Sequence, residues 1–153
     1  DGRHGAIDPQ HSGVDAEIEQ RRVLELDVEA AGEIGPPRLL HLGHPPPRLR
    51  QRYWKDGAQT AWILEEIGKE EFITAGFIVA NDRIEKARVL IYRESRGMEV
   101  RYPAFLKQFD GVQLQEKQRL SKRIDGIAGA TLSVWAMERM ARTALYFHRH
   151  VNK

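Results

Sequence analysis

Two apolar segments separated by a two-residue turn constrain the fold of this chain more than any other feature. Phe72–Ala80 and residues 84–92 are rich in β-branched and aromatic residues, as strands usually are. Between them lie Asn81 and Asp82, residue types that tolerate the positive φ angles of a tight hairpin turn. The pattern predicts an antiparallel β-hairpin, and the short apolar run at residues 60–67 predicts another strand before it.

Near the C-terminus, apolar residues recur at the period of an α-helix. The stripe contains Leu132, Ala136, Met140, Ala144 and Phe147, flanked by Met137, Ala141 and Leu145. It predicts an amphipathic helix over residues 131–148 that packs on the sheet. Pro103 at the start of residues 102–109 predicts a short helix there. An antiparallel sheet with a central hairpin, packed by a C-terminal amphipathic helix and a short helix, indicates the α+β class rather than a doubly wound parallel sheet.

The first 50 residues have a different composition. They contain six of the seven prolines, including Pro45–Pro47, which favours extended or turn structure. A patchy apolar stripe predicts a helix over residues 14–31, and residues 32–50 are expected to form a linker or wrapping arm. We therefore divide the chain into a Pro-rich N-terminal arm, residues 1–50, and a folded domain, residues 51–153.

Composition excludes several kinds of site. The 153-residue chain contains no cysteine, which rules out disulfides, thiolate metal sites and a cysteine nucleophile. The net charge of +2 gives no broad basic field, and we expect no nucleic-acid partner. The beginning of the sequence does not resemble a signal peptide, and no run of about 18 apolar residues predicts a membrane span. The pairs His41/His44 and His148/His150 lack a third ligand at fixed spacing, so no metal site is expected.

The segment Asp125-Gly126-Ile127-Ala128-Gly129-Ala130-Thr131 is the most informative motif in the sequence. Small residues before a helix allow close approach of a ligand to the backbone, and the free N–H groups of the helix start attract an anion. A hydroxyl at the start of the helix could then contact a phosphate. The same residues also suit a Gly-rich turn in which Thr131 merely caps the helix.

This segment resembles the flavinylation motif of FMN-binding domains. The family includes the covalent-flavin subunits of the sodium-pumping NADH:quinone oxidoreductase and of the Rnf electron-transport complex. The similarity spans about residues 53–147 and includes the hairpin and the Arg93-Glu94-Ser95-Arg96-Gly97 loop. It also includes Phe105-Leu106-Lys107-Gln108-Phe109-Asp110-Gly111.

The resemblance implies a set of cofactor-binding residues. They are Asp125, Gly126, Ile127, Ala128, Gly129, Ala130 and Thr131, together with Glu94, Ser95 and Gly97. In the family, a flavin transferase attaches FMN to the last Thr of the motif, here Thr131. Asp125 is expected either near this metal-assisted transfer or as a turn-fixing acceptor. Ala128 departs from the Ser or Thr usual in the family, and the missing hydroxyl removes a hydrogen bond worth about 1 kcal/mol.

The resulting expectation is an extracytoplasmic flavoprotein that passes electrons between redox partners, such as a membrane reductase and a cytochrome. No residue stands out as a substrate base, which favours a carrier over a self-sufficient enzyme. One alternative is a reductase that binds FMN non-covalently, with Tyr92 or Tyr102 as the general acid. Another is a binding module that has lost its flavin, with Ala128 as the sign of that loss.

Overall fold

The computed structural model describes residues 30–34 and 51–152. Its centre is one antiparallel sheet of five strands in sequential order. The strands are β1 (Ala30–Ile34), β2 (Gln51–Asp56), β3 (Gln59–Ile67), β4 (Phe72–Ala80) and β5 (Arg83–Tyr92). Two α-helices follow, the short α1 (Pro103–Leu106) and the long α2 (Thr131–Val151). The predicted α+β class is confirmed.

The predicted hairpin consists of β4 and β5. Asn81 and Asp82 have φ angles of 53° and 58°, as a tight turn between twisted strands requires. All residues of β4 after Phe72 are buried. Such a run suits a central strand that is covered on both faces, and β4 lies between β3 and β5 in the sheet.

Helix α2 covers the sheet, as its apolar stripe predicts. Ala136, Met140 and Ala144 are at most 1% exposed and belong to the main core with Trp62 and Phe77. Leu132 was expected in this stripe but is 43% exposed. The first turn of α2 lies beside a surface cleft, and Leu132 forms part of the cleft wall instead of the core.

Buried polar contacts fix α2 on the sheet. Thr60 Oγ1 accepts a hydrogen bond from Trp62 Nε1 at 2.8 Å and lies 2.6 Å from Nδ1 of the buried His148. Burial lowers the pKa of His148, and the neighbouring Asp82 only partly opposes this effect. Burial therefore favours the neutral imidazole at this end of the helix.

Of the first 50 residues, only residues 30–34 can be compared with the predictions. Ala30 and Ala31, expected at the end of a helix, lie in a strand, and Gly32–Ile34 are also strand rather than linker. The reason is tertiary: β1 pairs with β2, whose edge supplies the backbone hydrogen-bonding partners. Residues 14–29 and 35–50 lie outside the described residues, and the domain boundary at residue 50 stays a prediction.

The chain between β5 and α2 is mostly irregular. The predicted short helix is present as α1, with Pro103 as its first residue. A bridge between Leu114 and Leu120 then closes a small loop. Among the helices of residues 30–34 and 51–152, none combines the length and hydropathy needed to cross a membrane.

Candidate functional site

The Gly-rich segment leads directly into α2. Ala130 precedes the helix, Thr131 is its first residue, and the Thr131 side chain is exposed. Ala130 has no side-chain oxygen, and no side chain caps this helix start. Because the first N–H groups of a helix lack intrahelical partners, this end of α2 can receive an anion beside the Thr131 hydroxyl.

The glycines around Thr131 have two different roles. A Cβ at Gly126 would meet no heavy atom within 4 Å, so a small residue there leaves open space. Gly129 also faces open space, but its φ of +80° favours glycine. A Cβ at Gly97 would lie 2.6 Å from Tyr92 Oη and 2.9 Å from Ala130 Cβ. Gly97 therefore allows the loop after β5 to pack tightly against the start of α2.

Two clefts meet at Thr131. The larger, called here the basic cleft, has a volume of about 940 Å³. The smaller, called the loop cleft, has a volume of about 480 Å³. The basic cleft is lined by residues 117–120, 122–124 and 126–128 and by Thr131, Val134, Trp135, Glu138 and Arg142. The loop cleft is lined by residues 69–70, 94–96 and 129–133. Both volumes lie within or near the range of ordinary ligand pockets.

One face of α2 forms a wall of the basic cleft. Thr131, Trp135, Glu138 and Arg142 lie on the same side of the helix because they follow one another at intervals of three or four residues. Trp135 is 52% exposed, which leaves a large aromatic surface available in the cleft. An apolar wall with a few polar groups is what a flat aromatic cofactor needs.

Charged groups deeper in this wall are partly removed from water. Burial raises the pKa of Glu138, although Arg142 and Arg139 act in the opposite direction. Burial likewise lowers the pKa of Arg142, and Glu138 opposes that shift. Both groups are thus held in a region that disfavours charge, and this is a common property of functional clefts.

In the loop cleft, Glu94 organises the turn between β3 and β4. Its Oε1 accepts hydrogen bonds from the backbone N–H groups of Lys69, Glu70 and Glu71, at 3.0, 2.6 and 2.8 Å. These bonds, with those of Glu70 and Glu71 the strongest, lower the pKa of Glu94. This oxygen therefore holds the protein's own backbone, so Glu94 shapes the cleft that it lines. Ser95 is exposed in the same cleft.

The two tyrosines considered as acids differ in their surroundings. The Tyr92 hydroxyl donates to the carbonyl of Arg96, and it lies 3.1 Å from Ser133 Oγ in α2. It therefore fastens the loop after β5 to the helix. Tyr102 is 56% exposed and precedes α1.

Most of the site residues expected from the sequence come together around Thr131. Gly126, Ile127 and Ala128 line the basic cleft, whereas Glu94, Ser95, Gly129 and Ala130 line the loop cleft. Asp125 and Gly97 flank these residues. The Asp125 backbone N–H donates to Gln108 Oε1 at 2.7 Å, which connects the motif to the region after α1.

Sequence reasoning did not identify the charged residues of the basic cleft. Glu138 and Arg142 lie off the apolar stripe of α2, and residues 117–123 contain no recognisable motif. Helical spacing from Thr131 could have found Glu138 and Arg142. The approach of residues 117–123 to α2 depends on tertiary structure.

The two histidines near the end of α2 have contacts of their own. His148 is buried in the contact with Thr60, and His150 stacks on Tyr146. Within residues 30–34 and 51–152, no three side chains of the usual ligand types form a group that could hold a metal ion. His41 and His44 lie outside the described residues.

Comparisons with known proteins bear on the family and the fold. The family model of the FMN-binding domain matches residues 68–146, slightly more than half of the chain. Among solved structures, the crystal structure of NqrC from Shewanella oneidensis is similar, with a TM-score of 0.52 and 16% sequence identity. The match covers 93% of this chain and 78% of that chain, and at this identity it shows a shared fold. No curated protein matches the sequence.

Proposed function

Because this chain belongs to the FMN-binding domain family, we propose that it carries FMN as a phosphoester on Thr131 and serves as an electron carrier. The observation that supports this most directly is the position of Thr131. Its exposed hydroxyl stands at the uncapped start of a 21-residue helix, where two clefts meet.

The residues present suit the phosphate of FMN. The first-turn N–H groups of α2 would receive its oxygens, and the positive end of the helix dipole favours the negative charge. Open space at Gly126 and Gly129 leaves the backbone accessible to the group. A phosphodiester on Thr131 would thus occupy a position that the local structure already stabilises.

Attachment is a phosphoryl transfer from FAD. The Thr131 oxygen attacks the phosphorus on the flavin side, a bond from Thr131 oxygen to phosphorus forms, and the anhydride bond breaks. AMP leaves with the bridging oxygen, and the hydroxyl proton passes to a base of the flavin transferase. No oxidant or reductant is needed. Ala128 adjoins the acceptor in the basic cleft, and its missing hydroxyl is expected to slow this step.

The basic cleft is the better of the two for the flavin ring. It offers the exposed face of Trp135 with Ile127 and Val134, and its volume suits a tricyclic ring. When bound, FMN supplies reversible electron transfer, while the protein binds the ring and sets its electrostatic surroundings. By resemblance to the family, we place this role outside the cytoplasm, with a flavin transferase and separate redox partners.

One observation favours a second candidate, a reductase that holds FMN without a covalent bond. Glu138 lies in the basic cleft with a raised pKa, and a carboxyl of this kind can donate a proton to a substrate. The Tyr92 hydroxyl is less suitable, because it is occupied by Arg96 and Ser133.

Intact mass and absorbance after denaturation test the covalent proposal. The protein would be co-expressed with a bacterial flavin transferase, beside Thr131→Val, Thr131→Ser and the control Ser121→Ala, which removes an exposed hydroxyl that lines neither cleft. We expect yellow colour and the mass of FMN less water in the parent and in Ser121→Ala, and neither in Thr131→Val.

The other outcomes separate the alternatives. Flavin that binds but is lost on denaturation, equally in Thr131→Val, would overturn the phosphoester and favour the reductase. A protein that never takes up flavin would indicate a module that has lost its cofactor. Thr131→Ser retains a hydroxyl. If this variant loads flavin and Thr131→Val does not, the failure of Thr131→Val comes from the missing acceptor and not from a misfolded protein.

A further inference from the structure

Positive charge is concentrated at the basic cleft beyond what a flavin requires. The cationic side chains that line it are Lys117, Arg119, Lys122, Arg123 and Arg142, and Glu138 is the carboxylate among the lining residues. Five cations against one carboxylate give a net charge of +4, although the whole chain carries only +2. The lining of the candidate flavin site is therefore more positive than the chain as a whole.

The FMN phosphodiester neutralises only a small part of this charge. A phosphate with two ester bonds carries one negative charge, which leaves about three positive charges among the residues that line the cleft. Lys117, Arg119, Lys122 and Arg123 are exposed, whereas Arg142 is half-buried. The surplus consequently lies on the rim of the cleft, where it faces whatever approaches from solvent.

The rim is a structured loop. Gln115 N–H donates to the Arg119 carbonyl at 2.7 Å, and the bridge between Leu114 and Leu120 closes the loop at its base. At its tip, Lys117 and Gln118 have φ angles of 58° and 59°, a conformation that non-glycine residues adopt rarely. Such conformations are often retained where a side chain serves a function. Here the backbone of this loop places Lys117 and Arg119 beside the cleft.

We propose that this basic rim docks an acidic surface of the protein that exchanges electrons with the flavin. The inference rests on the proposed function, since the flavin in the cleft makes the rim a useful place to dock. A protein that exchanges electrons with the flavin must approach the mouth of the cleft, and carboxylates on its surface would meet the exposed cations of the rim there. Complementary charge there raises the rate of productive encounter and fixes orientation.

Electron-transfer kinetics test this docking surface. The flavin-loaded protein, reduced beforehand, would be mixed by stopped flow with plastocyanin, an acidic acceptor, and with cytochrome c, a basic one. At low salt we expect the second-order rate constant for plastocyanin to exceed that for cytochrome c by about 10-fold or more, and to fall by about 10-fold or more at high salt.

Two matched triple variants locate the effect. Arg119→Gln, Lys122→Gln and Arg123→Gln together neutralise three rim cations, and leave Lys117 and its backbone unchanged. Arg83→Gln, Arg101→Gln and Lys107→Gln together remove the same charge from exposed positions that do not line the cleft. We expect the rim triple to lose most of the low-salt advantage with plastocyanin, and the control triple to change the rate by less than about 2-fold.

Several results would overturn the docking proposal. These are equal losses in the two triples, a faster reaction with cytochrome c, or rates that do not depend on salt. Preferential binding of phosphatidylglycerol vesicles or of a labelled oligonucleotide over plastocyanin would also refute it. Chemical-shift changes on adding plastocyanin to flavin-free protein provide a readout that needs no cofactor. If the protein does not load flavin, the proposed function is refuted, but the chemical-shift experiment still tests the docking surface.

Discussion

Replacing Gly97 by alanine tests how closely the loop after β5 must approach α2. The added Cβ would lie 2.6 Å from Tyr92 Oη and 2.9 Å from Ala130 Cβ, well inside the separation of about 3.5–4.0 Å at which nonbonded carbon atoms attract. The φ of +82° adds backbone strain for any residue with a Cβ. The loop must move, which also disturbs the hydrogen bonds of the Tyr92 hydroxyl.

The expected decrease in the free energy of unfolding of Gly97→Ala has two parts. The left-handed conformation costs about 1 kcal/mol, and forcing atoms into a filled space costs about 1–3 kcal/mol. Gly111 provides a matched control, because its φ is +81° and a Cβ there would meet nothing within 4 Å. Gly111→Ala should therefore lose only the conformational part, about 1 kcal/mol, and Gly97→Ala about 1–3 kcal/mol more. That difference is large beside a typical domain stability of about 5–15 kcal/mol.

Urea denaturation of the two variants, followed by tryptophan fluorescence, measures this difference as a shift in midpoint at constant slope. We also expect Gly97→Ala to load less FMN than Gly111→Ala, because the movement displaces Ala130 beside Thr131. Equal unfolding free energies for the two variants would refute the close approach at Gly97, since they share nearly the same φ and differ mainly in their neighbours.

Four further substitutions test single residues. Burial lowers the pKa of His148, so the unfolded chain binds the proton more readily than the folded chain does. The free energy of unfolding should therefore be constant above about pH 6.5 and decline below it. In His148→Gln, the urea midpoint should change less between about pH 7.5 and pH 5.5 than it does in the parent. The pKa of Glu94 is also lowered, so Glu94→Gln should lose about 1 kcal/mol at pH 7, and this loss should shrink as the pH falls below about 4.5. A loss that is the same at every pH would contradict this reasoning. Burial raises the pKa of Glu138, so its negative charge opposes folding above about pH 4.5. Thermal melts at pH 7 should show that Glu138→Gln increases the free energy of unfolding by about 0.5 kcal/mol. A decrease would show that the contacts of Glu138 with arginine dominate. Ala128→Ser should increase the flavin-loaded fraction in intact mass spectra, and unchanged loading would show that this hydroxyl is dispensable.

The sequence predicted correctly those elements whose determinants lie within one short segment. The apolar run Phe72–Ala80 coincides with β4, and Asn81 and Asp82 form the predicted turn. Thr131 begins α2 as predicted. The resemblance to FMN-binding domains is confirmed by the family match. The roles of the individual motif residues, the covalent bond and the partners stay predictions.

Expectations were wrong where distant residues decide the outcome. Ala30 and Ala31 form a strand because the edge of β2 offers backbone partners to them. Leu132 is part of the apolar period of α2, yet it faces a cleft because the first turn borders the site. Periodicity identifies the apolar face of a helix, but it does not show how far the opposing surface extends.

The hairpin, the amphipathic helix and the small-residue motif before Thr131 follow from the sequence alone, because each depends on backbone preferences and side chains within a few residues. Only the tertiary structure brought residues 117–123 against the face of α2 that carries Trp135 and Glu138. It also bonded Glu94 to a turn more than 20 residues away in sequence. Solvent exclusion and charge concentration arise where segments distant in sequence meet, so the electrostatics of the site depend on folding of the whole domain.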